Sequence, residues 1–245
     1  MNEITVIADN AMRVFVVQDT QEELMQPNSL FYGEEPKIKD LVDSMSPTGS
    51  VSSAINCFIV EIGQKMIMFD TGLGIEGGGM LLNRMTKAGI TPDSIEAVFI
   101  THCHGDHIGG LMTEDKKRVF VNAKVYIPKQ EFDYWYGKDS GIEDISKAYG
   151  SSLIVFDDNT PLPYDVMAHK AAGHTPGHTI YSIGNFIFAG DIMHGIDLQY
   201  KNPEISAGYD MDVKKSIESR KRCIEYAISN GKILAGVHFH NGIIK

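Results

Sequence analysis

The chain has 245 residues, 43% of them hydrophobic, and a formal net charge of −10. That length buries one substantial core and fits a single domain spanning 1–245. The acidic balance argues against nucleic acid as a partner, because a phosphate backbone is held by clustered Lys and Arg; the basic run Lys116-Lys117-Arg118 reads as a solvated loop.

Cys57, Cys103 and Cys223 show no paired spacing, which suggests no disulfide framework and fits a reducing compartment. The first ten residues carry Glu3 and Asp9 and lack both the basic and the apolar region of a secretion signal. No apolar run approaches transmembrane length. The expectation is a cytoplasmic protein with no membrane partner.

In chain order, 4–8, 12–17, 56–62 and 65–70 read as strands, with Gly63-Gln64 as the turn of a hairpin. Between them, 18–53 is rich in Pro, Ser, Glu and Asp and has no clear period; a lid or binding loop and an ordinary surface loop are both open. After the glycines at 77–79, residues 81–88 read as a helix ended by Gly89, and 94–100 as a buried strand. Strands follow at 124–128, 153–156, 178–183 and 186–189, with a helix at 130–136. The longest helix, 212–230, is closed by Gly231, and 232–237 forms a last strand. Each half mixes strands with a helix, which suggests two facing sheets with helices outside.

The strand at 94–100 runs directly into Thr101-His102-Cys103-His104-Gly105-Asp106-His107, three imidazoles and a carboxylate in one short stretch. Neutral imidazole nitrogen and carboxylate oxygen are the ligands zinc and similar ions take, and four such groups this close waste desolvation energy without a cation. A histidine-rich surface turn is the bland alternative. All nine histidines lie at or after position 102, most of them here, in Gly173-His174-Thr175-Pro176-Gly177-His178 and in His238-Phe239-His240. Asp191 ends an apolar strand, where a buried charge needs a cation or strong hydrogen bonds. Loops at strand ends on one rim can converge, which would make one site of these motifs.

Together these motifs resemble the metallo-β-lactamase superfamily. Its H-x-H-x-D-H signature is matched by His102, His104, Asp106 and His107, preceded by Phe69-Asp70-Thr71-Gly72 and followed in the family's order by Gly173-His174, Ala189-Gly190-Asp191 and a C-terminal histidine. The resemblance implies an α/β fold, the four-layer αββα sandwich, with a two-metal site at its rim. It implies His102, His104 and His174 as ligands of one metal, Asp106, His107 and the C-terminal histidine as ligands of the other, and Asp191 as a bridge. For the last ligand His238 and His240 compete. The run around them resembles the His-Phe-x-x-x-Gly-Ile pattern of the branch containing methyl parathion hydrolase and some homoserine-lactone lactonases, which favours His238.

Asp70 is expected to hold a ligand by hydrogen bonds without touching metal, His178 and His169 to be structural, and Cys103 to pack. His194 stands where lactonases of the superfamily often carry a tyrosine aimed at the substrate carbonyl. As a candidate catalytic residue it would donate the same hydrogen bond; a different substrate is the other reading.

The expected chemistry is hydrolysis in which two divalent ions share a water, lower its pKa and polarise the substrate, with Asp106 passing the proton to the leaving group. No Gly-x-Ser-x-Gly elbow supports a serine triad. Histidine at position 104, where a di-iron branch places glutamate, favours zinc, although manganese, iron or cobalt can load such a site. The expected substrate is a small ester or lactone. The alternatives are a glyoxalase II-like thioesterase and a non-catalytic metal-containing sensor or binding protein of the same fold. A homodimer stays open.

Overall fold

The computed structural model describes residues 3–9, 12–33, 35, 37–138 and 141–245. Met1, Asn2 and Asn10 of the N-terminal stretch, and Glu34 and Pro36 of the 18–53 stretch, lie outside the described residues.

The first half runs β1 (Ile4–Asp9), β2 (Met12–Gln18), β3 (Leu24–Pro27), β4 (Phe31–Tyr32), α1 (Lys37–Met45), β5 (Ser50–Ser53), β6 (Asn56–Ile62), β7 (Lys65–Phe69), α2 (Leu81–Lys87), β8 (Ile95–Phe99) and α3 (Gly105–Ile108). It continues with β9 (Lys124–Pro128), α4 (Lys129–Trp135), α5 (Ile142–Tyr149) and β10 (Leu153–Phe156). The second half holds β11 (Met167–Lys170), β12 (Thr179–Ile183), β13 (Phe186–Phe188), α6 (Ile196–Gln199), β14 (Ser206–Ala207), α7 (Val213–Ser229), β15 (Ile233–Ala235) and β16 (Ile243–Ile244).

Two main sheets result, ordered β1-β2-β6-β7-β8-β9-β10 and β11-β12-β13-β15-β16. The β6–β7 hairpin closes with Ile62 opposite Lys65, as the Gly63-Gln64 turn requires. From β7 to β10 the strands are parallel, and both faces of this region are covered, as parallel sheets demand.

Alternation along the strands divides the core into layers. Phe58, Val60, Ile67, Phe69 and Phe99 of the first sheet meet Tyr181, Ile183, Phe186 and Phe188 of the second between the sheets. The opposite face of the first sheet, with Ile59, Met68 and Val98, packs on Leu81 and Met85 of α2 and Ile142, Ile145 and Tyr149 of α5. The outer face of the second, with Ile180, Ile187 and Leu234, packs on Cys223, Ile224 and Ala227 of α7. This is the αββα sandwich expected from the sequence.

At the end of the sandwich that carries the histidine loops the sheets are stitched directly. Tyr181 Oη donates to Ile100 O at 2.7 Å, Thr179 N to Thr101 O at 3.0 Å, and Asn56 N and Nδ2 both to Val237 O at 2.9 Å.

The reading of 18–53 as a stretch without period needs correction. It contains β3, β4, α1 and β5, and Ile38 and Val42 of α1 are buried with Phe31, Val51, Leu198, Ile205 and Ala207 in a separate apolar cluster. The helix is only nine residues long, so its apolar stripe covers too few turns to mark it out. No helix among the described residues is long and apolar enough to cross a membrane.

Candidate metal centre

β8 delivers the first cluster. Its last residue is followed by a loop in which His102 and His104 sit two apart, and α3 then presents Asp106 and His107. His174 comes from the loop before β12, Asp191 follows β13, and His238 follows β15. All of these connections lie at one end of the strands, so both sheets supply ligands. Gly190 matters here: its φ is +51°, and a Cβ would lie 2.6 Å from His178 Nε2 and 2.9 Å from Thr101 Oγ1. Only glycine lets Asp191 enter beneath the histidine loop.

The seven side chains expected as ligands converge. His102 Nε2, His104 Nδ1 and His174 Nε2 are mutually 3.0–3.1 Å apart. Beside them stand Asp106, His107 and His238, with His107 Nε2 and His238 Nε2 at 3.8 and 3.5 Å from Asp106 Oδ2. Asp191 reaches both groups: Oδ2 is 3.3 Å from His174 Nε2, and Oδ1 is 3.0 Å from His107 Nε2. His238 is buried with Nε2 3.1 Å from Asp191 Oδ2, whereas His240 pairs with Asn241 and is not in the cluster.

This donor set fits divalent cations. Three imidazole nitrogens in mutual contact cannot satisfy one another with protons, whereas a tetrahedral zinc with bonds of about 2.0–2.1 Å spaces its nitrogens by roughly 3.3 Å. His107 Nε2 and Asp191 Oδ1 are also buried and make no aligned hydrogen bond, so both point to a third body.

Electrostatics follow from burial and crowding. Burial, reinforced by the neighbouring imidazoles, pushes His102 well below the ordinary histidine range and His104 down to about 4, leaving lone pairs free. Burial works to raise Asp191, but His107, His238, His102 and His174 around it prevail and hold its carboxyl well below the usual range.

The supporting residues behave as the sequence suggested. Asp70 accepts from Thr101 N and Thr101 Oγ1, both at 2.8 Å, and pairs with His107 Nδ1 at 2.9 Å. His178 Nε2 accepts from Asp191 N at 3.0 Å, and burial pushes its pKa down to about 3. His169 pairs with Ser182 across β11 and β12, and Cys103 packs in the core of the first sheet.

His194 is buried, its Nε2 3.2 Å from Asp191 Oδ2 and its ring stacked on His238 at 4.8 Å. On the far side of His174, Asp210 Oδ1 lies 3.4 Å from Nδ1 and Asp210 Oδ2 accepts from Arg220 Nη2 at 3.1 Å. Burial raises the Asp210 carboxyl, but its bond to His174 and the Arg220 charge bring it down to about 2. Sequence reasoning missed this pair. The available signal was Arg220 itself, a charge on the face of α7 that also carries Cys223 and Ile224.

The fold and the converging histidines and carboxylates define a metallo-hydrolase type of centre, and the comparisons agree. The family model for the metallo-beta-lactamase superfamily matches residues 52–234, and the chain belongs to that superfamily. An N-acyl homoserine lactonase of a Bacillus species is 22% identical over 218 residues, 78% of this chain and 83% of that one. Ribonuclease Z of Pyrococcus furiosus is 26% identical over 162 residues, 64% of this chain; the match spans only 46%, about half, of that relative's length. The solved structure of AidC, a dizinc quorum-quenching lactonase with bound product, superposes with a TM-score of 0.84 at 25% identity, covering 98% of this chain and 92% of that one.

Proposed function

We propose that the chain is a metal-dependent hydrolase that opens a small ester or lactone with the help of two divalent cations, zinc first among the candidates. His102, His104 and His174 would hold one, Asp106, His107 and His238 the other, and Asp191 would touch both. The observation that carries the reading is the convergence of these seven side chains into two adjoining groups. The lactonase relatives support the substrate class. We read 1–245 as one cytoplasmic domain acting on a small molecule.

When bound, two such cations supply a water of lowered pKa and polarise the carbonyl oxygen. The chain's own residues do the rest. Asp106 has a quarter of its side chain exposed, so it meets the incoming substrate and is the carboxylate that takes a proton and hands it to the leaving oxygen. Asp191 keeps its negative charge beneath the substrate. His194, at 1% exposure, acts from behind by donating from Nε2 to Asp191 Oδ2 rather than to the substrate.

Elemental analysis of protein purified without added metal, followed by assay on lactones, thioesters, phosphotriesters and β-lactams, tests the reading. About two zinc equivalents with turnover of one ester class is the expected result. Less than about one equivalent, and no turnover once metal is restored, would overturn it in favour of a binding protein. In the same assay Asp106→Asn should lower turnover by at least about 100-fold; full turnover would remove Asp106 from its role.

A further inference from the structure

One fully buried carboxylate gathers contacts from every segment that carries the His102, His104 and His174 group, and none of the chemistry above uses it. Glu131 lies in α4. Its Oε1 accepts from Thr175 Oγ1 and from Gly177 N at 2.8 Å. Its Oε2 accepts from Cys103 N at 3.2 Å and Trp135 Nε1 at 2.7 Å.

Cys103 stands between His102 and His104, and Thr175 follows His174, so the two loops hang from opposite oxygens of one side chain. Trp135, itself bonded to Glu131, sets its indole edge-on to the His104 ring at 5.5 Å. A Cβ at Gly177 would lie 2.4 Å from Glu131 N, so the second loop rests directly on α4. The other group is fixed by different means: His107 by Asp70, and His238 by a bond from Nδ1 to Ala54 O at 2.9 Å.

We infer that Glu131 is a positioning residue for one metal subsite only. It sets the spacing of His102, His104 and His174 and leaves Asp106, His107 and His238 untouched. A buried carboxylate is tolerated when donors surround it, and here three of the four donors, Cys103 N, Thr175 Oγ1 and Gly177 N, belong to the two loops whose relative placement decides whether three nitrogens meet, while the fourth, Trp135 Nε1, comes from α4 itself. This inference rests on the two-cation reading above.

The test is Co²⁺ binding, followed by titration calorimetry and the visible spectrum, in backgrounds that retain one subsite each. In His238→Ala the intact subsite is that of His102, His104 and His174; in His104→Ala it is the other. Glu131→Gln keeps the volume but turns an NH2 towards two donors. It should weaken Co²⁺ about 10- to 100-fold in the first background, with altered visible bands, and leave affinity in the second unchanged. Equal weakening in both backgrounds, or in neither, overturns the assignment and reduces Glu131 to a general support of the fold. If the unsubstituted chain binds no Co²⁺, the two-cation reading fails and this one with it, an outcome distinct from failure of Glu131 alone. Should Glu131→Gln not fold, Thr175→Val removes one arm and carries the same contrast between backgrounds.

Discussion

A fully buried guanidinium stands behind His174. Arg220 donates from Nε to Ile192 O at 2.7 Å, from Nη1 to Pro203 O and Ile205 O at 2.8 and 2.9 Å, and from Nη2 to Asp210 and Ser216 Oγ. Arg220→Met would leave the Asp210 charge buried with only the His174 ring beside it, so urea unfolding should show a loss of about 3–5 kcal/mol. Adding Asp210→Asn should recover part of it; an unchanged midpoint in the single variant would deny the pair its role. At this scale the sequence was informative wherever chemistry is local. His102, His104, Asp106 and His107 declare themselves within six positions, and His238 is favoured over His240 by its own short motif. Glu131 stays silent because its partners are far along the chain: nothing near it announces Thr175 or Gly177, and a lone acid in a helix ordinarily faces water.

Among elements, the loop between β7 and α2 depends on one acid. Asp19 is buried at the end of β2 and accepts from Leu73 N and Leu81 N, each at 2.7 Å, tying the glycine-rich turn and the first residue of α2 to the sheet. Burial pushes its carboxyl up from 3.8 to about 6, against the pull of those backbone donors. The folded chain therefore binds this proton more tightly than the unfolded one. The resulting stabilisation is complete below the unfolded value and is lost as pH rises towards about 6, with a slope of up to about 1.4 kcal/mol per pH unit. Denaturation of Asp19→Asn at a series of pH values should lack that loss between about pH 4 and pH 6, and slopes equal to the unsubstituted chain's would refute the assignment. Apolar runs such as 57–60 and 125–128 made the central strands legible, and Asp212, which accepts from Lys215 N, marks the start of α7 as the sequence suggested. α1 and α5 were not legible. Their buried positions, Ile38 and Val42 in one, Ile142, Ile145 and Tyr149 in the other, make a helical stripe too short to stand out from its charged neighbours.

Across the whole molecule the two sheets are held by an aromatic seam. Phe69 and Phe188 stack at 3.9 Å and 11°, and Phe99, Tyr126 and Tyr181 extend the contact. Phe188→Ala should cost about 3–5 kcal/mol in chemical denaturation while the unfolding remains one transition; a second transition would show that the sheets unfold separately. The arrangement of two sheets could be anticipated from the order of strands and helices, but their mutual contacts could not, since they join residues from opposite halves of the chain. The stitches of Asn56, Thr179 and Tyr181 all lie at the histidine end, whereas β10 and β11 are edge strands with Val155 and Met167 exposed. The molecule is thus braced by hydrogen bonds at one end, while along the β10–β11 flank the two sides meet through Phe156 against Tyr181 and the exposed Lys170–Asp158 pair. Warming should fray that flank first, so amides around 56, 100, 179 and 237 exchange last, and a protease should nick the chain there while the histidines still stand in register.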